Sequence, residues 1–272
     1  MSQASLDLAV NGVRYHARVA GDGPPLVLLH GFTGSSATWE PHLAVLGGER
    51  RLVAVDLLGH GSTQAPREPE RYGVEPAVAD LLALLALLGV DRFALLGYSM
   101  GGRLALHLAL AAPQRVQALV LESASPGIRE QQEREARRRT DDELADFVER
   151  EGIEAFVARW EALPLFASQA NLPLAVREQL RAQRLAQDPL GLANSLRGMG
   201  AGVMPSVEDR LGTLAMPILI VAGRLDDKYC RLAHAMQQHL ARACVEIVPD
   251  AGHAVHLEQP VVFDRLVCGF LE

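Results

Sequence analysis

Cysteine is scarce in this chain. Cys230, Cys244 and Cys268 are the three thiols in 272 residues. Their spacing fits no metal site, and their density is far below that of a disulfide-stapled secreted domain. They read as reduced packing thiols, which predicts a cytoplasmic protein. Excess positive charge is also missing. The formal net charge is -7, which argues against a general nucleic-acid binder and leaves room for a locally basic pocket. Long apolar runs are absent: the Leu/Ala-rich stretch 81–88 is too short to span a bilayer. The N-terminal residues show no basic segment followed by an apolar one, so no signal peptide is expected. No internal repeat is present.

What the sequence does contain is a large apolar fraction, 49%, enough for one sizeable α/β core. Residues 6–10 and 13–19 flank Asn11-Gly12, the strongest short signal for a β-hairpin. Apolar runs at 26–29, 52–55, 93–96 and 217–221, and the mostly apolar stretches 116–121 and 245–248, read as strands. Helical stretches are expected at 38–46, 75–88, 103–110, 229–240 and 260–270. Between 128 and 211 no strand is expected. Residues 129–150, 153–161, 174–185 and 189–199 carry helical propensity or spacing. Strands alternating with helices predict a mostly parallel sheet flanked on both faces. The expected organisation is an α/β core, 1–127 and 212–272, with an all-helical lid, 128–211, over the strand ends where ligands bind in such sheets.

The chemistry is concentrated in Gly97-Tyr98-Ser99-Met100-Gly101-Gly102. A Gly-x-Ser-x-Gly between a buried strand and a helix is a nucleophile elbow: a sharp turn lifts the serine hydroxyl out of the sheet. Flanking glycines are needed because a Cβ there would strike the neighbouring strand and helix. A serine hydroxyl needs a base, and the base an orienting acid, in the chain order Ser, acid, His. Asp226 follows the 217–221 strand and His253 follows the 245–248 strand. Parallel strands would bring both to the edge that holds Ser99. Asp227, Asp250, His256 and Glu122 are the competitors. The oxyanion hole is expected from the backbone N–H groups of Met100 and Phe32, the latter in His30-Gly31-Phe32. His30 and His60 are expected to be structural.

Taken together, these motifs resemble the α/β-hydrolase superfamily along the whole chain. More narrowly the chain resembles the 2-succinyl-6-hydroxy-2,4-cyclohexadiene-1-carboxylate (SHCHC) synthases of menaquinone biosynthesis. The narrower likeness rests on His30-Gly31-Phe32-Thr33-Gly34-Ser35, on Arg103 directly after the elbow glycines, on Glu122-Ser123-Ala124-Ser125-Pro126-Gly127, and on Asp226-Asp227-Lys228-Tyr229. It implies a lyase that eliminates pyruvate from a cyclohexene bearing an enolpyruvyl ether, a succinyl group and a ring carboxylate. It implies no metal and no organic cofactor. By the same resemblance Tyr98, Arg103, Arg137, Trp160 and Arg184 contact the substrate, and Lys228 adds positive charge near the mouth. A small polyanionic carboxylate is therefore the expected partner. Arginine suits it, because a buried carboxylate costs several kcal/mol unless paired and guanidinium pairs bidentately. Arg129 and Arg197 are the rivals of Arg184. Position 137 also lies in a charged run, 134–139, whose other reading is a solvated helix face.

Two departures from the family pattern stand out. The family often has Gln-Pro before the lid phenylalanine, where this chain has Leu163-Pro164-Leu165-Phe166. Relatives usually have a proline where Leu58 precedes Gly59. Two other functions fit parts of the pattern. A carboxylesterase or C–C bond hydrolase would use the same three residues, but Arg103 beside the nucleophile is ill suited to a neutral ester. A non-catalytic binding protein on the same scaffold would have no need of all three.

Overall fold

The computed structural model describes residues 3–272. Eight strands form one sheet in the order β1-β2-β4-β3-β5-β6-β7-β8. They are β1 (Gln3–Val10), β2 (Val13–Ala20), β3 (Pro25–Leu29), β4 (Arg51–Val55), β5 (Phe93–Tyr98), β6 (Val116–Glu122), β7 (Ile218–Gly223) and β8 (Ala243–Val248). The β1–β2 hairpin closes on Asn11-Gly12, both at positive φ, with Val10 opposite Val13. β2 runs antiparallel to β4, and every later pairing is parallel. The chain has the α/β-hydrolase fold expected from its sequence.

The strands read as continuous apolar runs because both faces are covered. Val27 and Leu29 of β3 point into one core layer, Leu26 and Leu28 into the other. This period-two division is that of a buried parallel strand. The helices are α1 (Leu43–Leu46), α2 (Val74–Leu87), α3 (Met100–Ala111), α4 (Gln131–Glu161), α5 (Leu174–Leu185), α6 (Pro189–Met199), α7 (Asp227–His239), α8 (Val255–Glu258) and α9 (Pro260–Leu271). Residues of α2, α3 and α7 build the first layer, and Trp39, α1 and α9 build the second.

The expected helix over 38–46 divides in two. Ser36–His42 is a 3-10 helix, and only Leu43–Leu46 is α-helical. Pro41 lies inside the first segment and has no N–H to donate to an i−4 carbonyl, which favours the tighter form.

Between β6 and β7 the described chain contains no strand. α4 is broken at Gly152, whose φ of 82° only glycine adopts readily, so 131–151 and 153–161 are two legs of different direction. A 3-10 segment, Pro164–Asn171, leads into α5. This stretch has its own small core of Ala145, Val148, Phe156, Val157, Leu192, Ala193 and Leu196. Phe32 and Trp160 pack against that core, so a loop of the sheet and the helical insert share one apolar contact. Among the described residues no helix is long and apolar enough to cross a membrane.

Candidate active site

Ser99 links β5 to α3 and carries φ 51° and ψ −107°. A non-glycine residue in this region is strained, and the surrounding packing has to hold it there. A Cβ on Gly101 would collide with the Leu29 and His30 carbonyls, and one on Gly102 with Ala124 Cβ at 2.5 Å. The glycines therefore let α3 pack directly under the turn.

His253 and Asp226 reach this serine from the ends of β8 and β7. His253 Nδ1–H donates to Asp226 Oδ2 at 2.8 Å, and Ser99 Oγ lies 3.0 Å from His253 Nε2. Asp226 caps α7, its other oxygen accepting Tyr229 N–H at 3.2 Å. The carboxylate is thus fixed at both oxygens, which sets the imidazole tautomer and leaves Nε2 to accept the serine proton. Asp227 is exposed in the first turn of α7, and Asp250 occupies a turn at φ 56°. Glu122 is fully buried and receives His256, whose Nδ1 lies 2.9 Å from each Glu122 oxygen. None of these competitors touches His253 through a hydrogen bond among the described residues.

Met100 N–H begins α3, and Phe32 lies in the loop after β3. Among the described residues, neither N–H has a protein acceptor. Both residues line the cavity that holds Ser99. His30 fastens the loop from behind: its Nδ1–H donates to Gly31 O at 2.7 Å, and its Nε2 accepts Leu57 N–H at 3.0 Å. Burial pushes the pKa of His30 down, against the opposing pull of the Gly31 carbonyl. His30 and His60 are both buried and absent from the cavity wall.

The cavity wall also contains Tyr98, Arg103, Arg137, Trp160 and Arg184. Arg103 is 9% exposed, and its guanidinium meets only Met199 O at 3.2 Å and Met204 Sδ at 3.5 Å. Among the described residues it has no carboxylate partner. Burial lowers its pKa, and nearby Arg137 lowers it further. Arg137 and Arg184 are already paired. Arg137 Nε donates to Asp141 at 2.8 Å, and Arg184 Nη1 donates to Glu161 at 3.1 Å while Nη2 donates to Gln169 at 3.1 Å. Trp160 Nε1 is buried without an acceptor among the described residues. Burial raises the pKa of the Tyr98 phenol well above its ordinary value, and the Glu122 carboxylate adds to the rise.

Lys228 stands apart from this group. It is exposed, off the cavity wall, and its ammonium sits 5.9 Å from the Tyr229 ring centroid. α7 starts at Asp227, so the next side chain along the helix turns outward. Arg129 pairs with Asp209 at an exposed site, and Arg197 pairs with Asp146 and Glu149, so neither rival enters the cavity. Tyr229 does enter it, edge-on to His253 with centroids 4.6 Å apart. Phe166, Gln169 and Gln183 also line it. Tyr229 and Phe166 lie in stretches singled out in the sequence without a role given to either ring, and Gln169 and Gln183 had no local motif to reveal them.

The chain's residues 24–260 match the alpha/beta hydrolase fold family. A Bacillus subtilis (strain 168) protein carrying the name "Putative 2-succinyl-6-hydroxy-2,4-cyclohexadiene-1-carboxylate synthase" is 45% identical over 265 residues, 96% of each chain. The Serratia proteamaculans (strain 568) 2-succinyl-6-hydroxy-2,4-cyclohexadiene-1-carboxylate synthase is 31% identical over 92% of this chain and 94% of its own. The solved structure of MenH from S. aureus superposes with a TM-score of 0.90 at 36% identity, covering 94% of this chain and 97% of that one.

Proposed function

The chain belongs to the 2-succinyl-6-hydroxy-2,4-cyclohexadiene-1-carboxylate synthases of the alpha/beta hydrolase fold, and from that premise we propose that Ser99, His253 and Asp226 form its general-base apparatus. The reaction is elimination of pyruvate from 2-succinyl-5-enolpyruvyl-6-hydroxy-3-cyclohexene-1-carboxylate, a step of menaquinone biosynthesis. The substrate is a small polyanion, and three arginines line the cavity beside the serine. The observation that carries this reading is Arg103. A buried guanidinium with no carboxylate partner is costly to keep, and an anionic ligand relieves that cost.

In this mechanism His253 Nε2 takes the Ser99 proton, and Asp226 stabilises the resulting imidazolium. The serine oxygen takes the ring proton next to the succinyl ketone. The electron pair delocalises onto the ketone oxygen, which faces the Phe32 and Met100 N–H groups, a stabilisation commonly worth roughly 3 kcal/mol per donor. Collapse through the ring double bond breaks the C–O bond and releases enolpyruvate, which takes up a proton and tautomerises to pyruvate. Arg103, Arg137 and Arg184 hold carboxylates and move no proton, since guanidinium stays charged at working pH. Tyr98 and Trp160 wall the ring, and residues 128–211 act as the lid. The free thiols of Cys230, Cys244 and Cys268 fit a reducing, cytoplasmic setting.

The same three residues suit ester or C–C bond hydrolysis, in which Ser99 forms a covalent acyl-enzyme. Two measurements separate the readings: pyruvate release from the enolpyruvyl substrate, and mass spectrometry of Ser99 during turnover. Rapid pyruvate release without a Ser99 adduct is the expected result. Accumulation of an acyl-enzyme with no pyruvate release would establish the hydrolase.

A further inference from the structure

Gln183 in the last turn of α5 and Gln187, two residues past the end of that helix, reach down to the loop that follows β3. Gln183 Nε2 donates to Ser35 Oγ at 2.9 Å and to Thr38 Oγ1 at 3.0 Å. Gln187 Nε2 donates to Gly34 O at 3.3 Å and to Gln183 O at 3.1 Å, while its Oε1 accepts Gly61 N–H at 3.0 Å. Gln187 is 4% exposed, and its carboxamide has every strong hydrogen-bonding direction but one in use. It bridges two backbone segments. One is the 30–36 loop that carries Phe32, and the other is the 56–63 loop.

Those two segments are already tied to each other from below. Asp56 accepts Ser36 N–H at 2.5 Å on one oxygen and Ser62 N–H at 2.8 Å on the other. Ser35 Oγ, the acceptor for Gln183, also caps the 3-10 helix by accepting Ala37 N–H at 3.2 Å. The loop itself is a tight turn, with Gly34 N–H on Gly31 O at 3.0 Å and Thr33 at φ 67°. Such a turn has few internal bonds, so an external tie has leverage over the direction of the Phe32 N–H. Arg184 lies between the two glutamines in sequence and faces the cavity, in contact with Gln169 and Glu161. The C-terminal end of α5 and the residues just past it thus present a substrate-side arginine and grip the oxyanion loop.

We propose that Gln183 and Gln187 are positioning residues: they seat α5 on the 30–36 loop, so that placing Arg184 at the substrate also sets the Phe32 N–H against the developing oxyanion. This rests on the reading of the site as an oxyanion-stabilising lyase. Loss of an oxyanion donor costs about 10²- to 10³-fold in kcat, and a misplacement of order 1 Å far from the chemistry can cost about 10²-fold. A loosened tie should fall below both.

The test uses the full-length enzyme with Gln187→Met and, as a milder change, Gln183→Met, each near-isosteric and without the amide. Hydrogen–deuterium exchange across residues 31–38, kcat and KM for the enolpyruvyl substrate, and slow p-nitrophenyl acetate turnover are measured on the folded fraction. Exchange across 31–38 should rise, and kcat should fall about tenfold on both substrates, with KM for the enolpyruvyl substrate moving less than about threefold. Unchanged exchange in both variants overturns the proposal. A raised KM with unchanged kcat also overturns it, since the glutamines would then seat Arg184 alone. If Gln187→Met does not fold, Gln183→Met decides by the same readouts. If the wild-type enzyme releases no pyruvate, the lyase reading fails, and exchange together with ester turnover still tests the tie.

Discussion

Arg103 N–H donates to the Ser99 carbonyl at 3.0 Å, the first hydrogen bond of α3. The guanidinium is therefore rooted one helical turn from the nucleophile, and neither residue can shift without the other. Removing the side chain takes a charge from the cavity without touching the serine turn. Arg103→Ala should lower kcat/KM for the polyanionic substrate by about 10²-fold or more, the cost of leaving a desolvated carboxylate unpaired. Slow hydrolysis of a neutral ester should stay within about threefold of wild type. Parallel loss of both activities would remove Arg103 from substrate binding.

The strain at Ser99 gives a stability prediction separate from activity. Ser99→Ala keeps a Cβ at φ 51°, whereas Ser99→Gly does not. Both should lose turnover. Ser99→Gly should be at least as stable as Ser99→Ala, by about 1 kcal/mol, although glycine normally costs chain entropy. Urea denaturation of the two variants decides this. A clearly less stable glycine variant would mean the turn is not strained.

Asp226 and Asp227 are adjacent and differ in what they face. Asp226 holds His253 Nδ1 at 2.8 Å, and Asp227 is exposed. Asp226→Asn should cost about 10³- to 10⁴-fold in kcat by mis-setting the imidazole tautomer. Asp227→Asn should stay within about twofold. Small and equal losses would redirect attention to Glu122, which is bound to His256.

The strands, the elbow and the order Ser, acid, His were legible because each is a local pattern: an apolar run, a glycine-flanked serine, a polar loop after a strand. Topology brings both Asp226 and Asp227 to the sheet edge, and the choice between them is geometric, with Asp226 on His253 Nδ1 and on Tyr229 N–H. Arg103 was firm because its helix starts at the nucleophile. Lys228 was misleading, since a motif position says nothing of the side a helix turns to solvent. Gln183 and Gln187, at and just past the end of α5, were illegible for the opposite reason. Their partners lie far away in sequence, 148 residues for the Gln183–Ser35 bond, and no spacing rule reaches that far. Arg184 was preferred to Arg197 on resemblance alone, because its position depends on which acids each one meets.

His60 supplies the pH prediction. It is 1% exposed; its Nδ1–H donates to Leu58 O at 3.1 Å, and among the described residues Nε2 has no partner. Burial, followed by the neighbouring His30, pushes its pKa down to about 3. An unfolded histidine titrates near 6.5. Between those values the unfolded chain binds a proton that the native one refuses. Stability therefore is complete above about pH 6.5 and falls as acid is added, by up to about 1.4 kcal/mol per pH unit from this group. His30, also depressed by burial, acts in the same direction. In His60→Asn the loss of stability between pH 7.5 and pH 5 should be smaller than in wild type by about 2 kcal/mol. Urea midpoints at the two pH values measure it. A variant that loses as much stability as wild type over this range would show that His60 takes its proton in the folded state, where the ring would need an acceptor for Nε2–H that the surrounding packing does not provide.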